Sequence, residues 1–286
     1  IEEAITKVIA GPEKKSRVIS ENERKITAYH EAGHALVARL LPNTDPVHQI
    51  TIVPRGMAGG FTMTLPKEDK YYATKTSMEE RIVHLLGGRV AEKLTLHDIS
   101  TGASNDIERA TEIARAMVTK YGMSERLGPV NYSSSDEVFL GKDFSTRKNY
   151  SEEMAKEIDE EIRTLIENGF TQAEKLLMEN IDKLHMLANV LLELETLDAE
   201  QFETLFTGKK TPEQLIADTK ELERHIEESN AKEAAEHLAE LAALEEQEAR
   251  EESDEFEEEE SEAEDFEEAE DFEEETPDPD EEAKEQ

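Results

Sequence analysis

The sequence predicts a mostly α-helical domain with a small β-sheet beside one central helix, followed by a disordered acidic C-terminal tail. Three observations carry this. Apolar residues recur at helical spacing over most of the first two hundred positions; β-type alternation is confined to a short stretch after residue 48; and charge is concentrated at the C-terminal end. The 286 residues carry a net charge of −38, and residues 208–286 hold 35 acidic and 7 basic side chains, which leaves −10 for the first 207.

The first strong element begins at Ser20-Glu21-Asn22-Glu23, an S-x-x-E capping box in which Glu23 can reach back to the Ser20 amide. Ile26, Tyr29, Gly33, Leu36, Val37 and Leu40 then recur at roughly helical spacing, and Pro42 ends the run. Gln49–Val53 is strand-like and stops at Pro54; after the Gly56–Gly60 turn, Phe61, Met63 and Leu65 alternate with Thr62 and Thr64 before Pro66. A short strand bounded by glycines and proline suits a sheet edge. A second amphipathic helix opens at the Ser104-Asn105-Asp106 run, with Ile107, Ile113, Ala114, Met117 and Val118 on its apolar side. Further helices are expected at about 151–168, 171–194 and 198–206, carrying core and subunit-interface positions.

From 208 to 250 the chain is rich in Ala, Glu and Leu and reads as a helix, either solvated or transient. From 251 to 286 it is mostly Glu and Asp and cannot bury enough apolar surface to offset its conformational entropy. This tail reads as a solvated extension rather than a docking arm. The sign of the charge disfavours nucleic acid as a partner. Cysteine is absent, so no disulfide framework exists, and no stretch approaches the roughly 20 apolar residues of a membrane span.

The chemistry sits in the first helix. His30-Glu31-Ala32-Gly33-His34 places two imidazoles four residues apart, on one helix face, where both rings can reach one metal ion. Two imidazoles and a hard third ligand suit Zn²⁺, which keeps a position open for water in catalytic sites. Glu31 points about 100° around the helix from His30, toward such a water rather than the metal, as a general base must. Three carboxylates compete to be the third ligand: Glu92, Asp98 and Asp106. Asp106 lies in a first helical turn, where the helix dipole favours a carboxylate in any case, so spacing alone does not choose among them. His48, His84, His97, His185, His225 and His237 read as structural or solvated, with His97 notable for preceding the 98–106 block.

Four blocks in order, Tyr29–Ala35, Leu85–Glu92, Ser100–Ile107 and Met123–Pro129, resemble the peptidase domain of the FtsH family of membrane-anchored, ATP-dependent zinc metalloproteases. The resemblance runs from Ile19 to Gly208. It implies a helical zinc metalloprotease domain over residues 19–207, with one Zn²⁺ per chain held by His30, His34 and Asp106, and Glu31 as catalytic base. Glu92 then becomes a structural partner of the ligands rather than a ligand. Residues 1–18 resemble the end of the preceding AAA lid helix and its linker. A C-terminal fragment is therefore expected, with ATP bound only on an absent AAA module and membrane contact only through an absent N-terminal anchor. In the full-length protein the resemblance implies a homohexamer at the cytoplasmic face of the bacterial inner membrane, or at an organelle membrane, degrading unfolded or damaged membrane and soluble proteins. The strand Phe61–Leu65 is the expected template for unfolded polypeptide, pairing through its main chain. The alternative function is a catalytically silent module that only completes a hexamer; it has no need of His30, Glu31, His34 and Asp106.

Overall fold

The computed structural model describes residues 11, 19–55, 58–66, 68–133, 150–239 and 241. The chain divides into two compact units, 1–219 and 220–286. Of the second, residues 220–239 are helical and exposed throughout. The expected lid remnant at 1–18, apart from residue 11, and the expected disordered tail at 251–286 lie outside the described residues.

The first unit is mostly helical with one small sheet. Helix α1, Glu21–Leu40, starts at the capping box: the Ser20 hydroxyl accepts from the Glu23 amide at 3.2 Å, and the Glu23 carboxylate accepts from the Ser20 amide at 3.3 Å. Every residue from Ala28 to Ala38 is buried. A helix covered on all sides must sit at the centre of its domain, and α1 does. Strands β1, Val47–Thr51, and β2, Phe61–Thr64, follow, then helices α2, Lys75–Leu96, and α3, Ser104–Thr119. Helices α4, Glu152–Glu179, and α5, Ile181–Leu194, lead to strand β3, Thr196–Asp198, and helix α6, Ala199–Phe206.

The sheet is antiparallel in the order β2-β1-β3, which leaves β2 at an edge. Strand β1 begins two residues earlier than its sequence suggests and ends at Thr51. The third strand was not anticipated. It pairs Asp198, Leu197 and Thr196 with Gln49, Ile50 and Thr51, and buries Leu197. The pairing of β2 also has a polarity. The Leu65 amide donates to the Pro46 carbonyl at 3.1 Å. Amides alternate along a strand, so those of Met63 and Phe61 also face β1, while those of Thr62 and Thr64 face the open edge, which no other described strand covers.

One helix boundary differs from expectation. Helix α4 runs through Gly169 and stops at Asn180, instead of breaking near residue 169. Gly169 is there for contact: a Cβ added to it would stand 2.9 Å from Ile82 Cγ2 on α2. The same device brings α1 and α2 together, since a Cβ on Gly33 would lie 2.7 Å from the Gly87 carbonyl oxygen and 2.6 Å from Ala91 Cβ.

Two buried clusters fill the unit. One gathers Leu36, Val37, Ile50, Leu187, Leu191 and Phe202 around α1, α5 and the sheet, and extends to Leu215. The other packs Ile82, Leu86, Ala114, Met117, Ile158 and Ile162 between α2, α3 and α4. Residues 30–34 of α1 are all buried in this packing.

Candidate metal and catalytic site

His30 and His34 project from the middle of α1, one turn apart, and both are at most 8 % exposed. Their Nε2 atoms are 3.0 Å apart. Asp106, in the first turn of α3, brings Oδ2 to 3.3 Å from His30 Nε2 and 3.4 Å from His34 Nε2. Helix α3 has no side-chain cap at Ala103, and Asp106, the acidic residue of its first turn, faces the imidazoles. Among the described residues, His30, His34 and Asp106 form the group that could hold a metal ion.

The tautomers decide what this triangle wants. His34 Nδ1 lies 2.9 Å from the His84 carbonyl oxygen, which can only accept, so Nδ1 carries the proton. His30 Nδ1 lies 2.7 Å from Glu92 Oε1 and donates to it. In neutral rings, both Nε2 lone pairs and a carboxylate oxygen then converge on one point, an arrangement that is repulsive without a cation. Zn²⁺ with bonds of about 2.0–2.1 Å places tetrahedral ligand atoms roughly 3.3 Å apart, which matches the three edges. The residues fit the metal. Without one, a proton takes its place: burial pushes the His30 imidazole down, but its hydrogen bonds to Asp106 and Glu92 outweigh that and raise it to about 10. Burial pushes the Asp106 carboxyl up, and its contacts with His30 and His34 hold it well below the usual carboxylate range.

Glu92 is the support of this arrangement. It is 1 % exposed, accepts from the Ser100 amide at 2.7 Å and the Ser100 hydroxyl at 3.0 Å, and fixes the His30 ring through Oε1. Such partners raise ligand basicity and lock ring orientation. Asp98, by contrast, is exposed and caps the Ile99 amide at 2.8 Å. His97 is exposed and terminates α2 in the left-handed region, with φ of 55°.

Glu31 is buried on the neighbouring face of α1. Burial raises its carboxyl, against the lowering influence of His30, His34 and the Thr62 hydroxyl. Thr62 Oγ1 donates to Glu31 Oε2 at 2.7 Å. Of the expected template residues, Phe61, Thr62, Met63 and Thr64 form β2, while Leu65 lies just past the strand.

Two contributors were missed by sequence reasoning. His84 is half-buried, holds His34 through its carbonyl, and packs its ring edge-on against His34 with centroids 5.7 Å apart. Burial lowers its imidazole to about 3, so it adds no charge to the site. Gly88 makes room: a Cβ there would lie 2.6 Å from His30 Cε1, His30 Nε2 and His34 Nε2. The paired glycines of Gly87-Gly88 were the available signal. Gly88→Ala should weaken zinc binding by at least about 10-fold, as changes beside ligands typically do. Competition against a chelator of known affinity measures this; unchanged affinity would show that the rings do not need that space.

Residues 17–205 match the model of peptidase family M41. The chain is 70% identical over 210 residues to the ATP-dependent zinc metalloprotease FtsH 2 of Alkaliphilus metalliredigens, covering 73% of this chain and 30% of that protein. It is 65% identical over 210 residues to FtsH 1 of Thermoanaerobacter sp., covering 73% and 34%, and 52% identical over 220 residues to FtsH of Bacillus subtilis, covering 76% and 34%. It thus spans about a third of the length of these curated relatives.

Proposed function

The chain belongs to peptidase family M41, and from that premise we propose that it is the zinc-dependent endopeptidase part of a membrane-anchored, ATP-dependent protease that degrades unfolded or damaged membrane and soluble proteins. The convergence of His30 Nε2, His34 Nε2 and Asp106 Oδ2 within 3.4 Å supports this reading most strongly. His30, His34 and Asp106 would hold one Zn²⁺. A bound Zn²⁺ supplies Lewis acidity, polarising a peptide carbonyl and acidifying water. Glu31 supplies the base: it takes a proton from the attacking water and delivers it to the leaving amine. Glu92 keeps His30 in the tautomer that offers Nε2, and the His84 carbonyl does the same for His34.

ATP dependence belongs to this proposal through the relatives' names, and membrane anchoring and assembly as a homohexamer through the family resemblance; the relatives are more than twice as long as this chain. Among the described residues no helix is long and apolar enough to cross a membrane. Measuring metal content together with casein turnover, before and after chelation, tests the proposal. One zinc per chain and chelator-sensitive cleavage are expected. A zinc-loaded chain that leaves casein intact would favour the silent assembly module.

Strand β2 would hold substrate by main-chain pairing at its open edge. Thr64→Pro removes an outward-facing donor without touching Glu31, so cleavage of casein should fall several-fold while zinc content and melting temperature hold. Met63→Pro removes a donor to β1 and should lower the melting temperature instead. Casein assays beside circular dichroism distinguish the two; unchanged turnover by folded Thr64→Pro would place substrate elsewhere.

A further inference from the structure

The base of this site is held by a residue outside its own helix. Glu31 Oε2 accepts from the Thr62 hydroxyl at 2.7 Å, with the Glu31 carbonyl oxygen 3.1 Å away as a second acceptor for the same proton. Among the described residues, no hydrogen-bond donor reaches Oε1. Thr62 thus anchors one carboxylate oxygen and leaves the other open to take a proton. The stem of Glu31 is confined as well: a Cβ on Gly60 would stand 3.1 Å from Glu31 Cγ, 2.6 Å from the Thr51 carbonyl oxygen and 2.7 Å from Thr27 Cγ2. The start of β2 therefore packs directly on the base. Thr62 also directs its amide to the open edge of the sheet, where an extended chain would pair.

We infer that Thr62 is a positioning residue for hydrolysis: its hydroxyl orients the Glu31 carboxylate, and its place on the edge strand sets a paired substrate backbone against that base. The inference rests on the endopeptidase reading above. A base misplaced by a fraction of an ångström loses rate without losing substrate affinity, so the effect belongs to kcat.

Thr62→Val keeps the shape and strand preference of threonine and removes the hydroxyl; Thr62→Ser keeps the hydroxyl. With the zinc-loaded chain and a short fluorogenic peptide, Thr62→Val should lower kcat about 10-fold with KM within about 2-fold, and Thr62→Ser should stay within about 3-fold of the starting kcat. Zinc content and melting temperature should not change in either. A second readout uses a peptide hydroxamate, whose N–O–H proton needs an acceptor beside the metal. Its dissociation constant should rise about 10-fold in Thr62→Val and recover in Thr62→Ser. Normal kcat in Thr62→Val, an equal loss in Thr62→Ser, a change confined to KM, or loss of zinc or fold would each overturn the inference. If the unmodified chain hydrolyses no peptide, the endopeptidase reading fails, and the hydroxamate series alone decides the role of Thr62.

Discussion

Glu31→Gln is expected to keep one zinc per chain while peptide hydrolysis falls by about 10²-fold or more. The amide preserves the size of the side chain and can still accept from Thr62 Oγ1, 2.7 Å away. What it loses is the ability to take and return a proton at pH 7. No other described carboxylate can substitute from its present position, because Glu92 is engaged by Ser100 and His30, and Asp106 faces both imidazoles. The check is an initial-rate measurement on samples matched for zinc by elemental analysis. Near-normal hydrolysis by the metal-loaded variant would remove Glu31 from the role of base.

Asp106→Asn should abolish stoichiometric zinc binding and hydrolysis together. A neutral amide oxygen is a poor replacement for the only carboxylate among the three converging donors. Glu92→Gln should weaken zinc binding by about 10–100-fold, since it disturbs the orientation of His30 but leaves all three donors in place. Asp98→Asn should leave the metal untouched, because Asp98 is exposed and, among the described residues, bonds locally, to Ile99. Equilibrium zinc titrations of the three variants measure this ranking. Zinc bound as tightly by Asp106→Asn as by the unmodified chain would overturn the ligand set.

The sequence made some of this legible and hid the rest for physical reasons. The His30–His34 spacing equals one helical turn, so a shared metal could be anticipated before the helix was seen. The proposed third ligand was different. A carboxylate in a first helical turn is favoured by the dipole whatever its function, so Asp106 stood out only through family resemblance. The burial of Glu92 could not be read at all, because it depends on how α2 meets α1 across Gly33, Gly87 and Ala91. The strand Thr196–Asp198 is three residues long, too short for alternation to register, and it exists because β1 offers it a partner. The expected helices stop at 168 and resume at 171, but α4 runs through Gly169, where the close approach of Ile82 leaves no room for a side chain. Leu215 is one of several leucines in an otherwise solvated run, yet it is buried in the first core cluster, and the residues from 220 to 239 are exposed.

The central claim is that one zinc sits among His30 Nε2, His34 Nε2 and Asp106 Oδ2. X-ray absorption at the zinc edge of the chain loaded with one equivalent tests it most directly. The geometry predicts a four-coordinate shell with two imidazole nitrogens and oxygen ligands at about 2.0–2.1 Å, and loss of that signature in the His30→Ala and His34→Ala variants. A shell of oxygen ligands alone, or one unchanged by removing either imidazole, would contradict it.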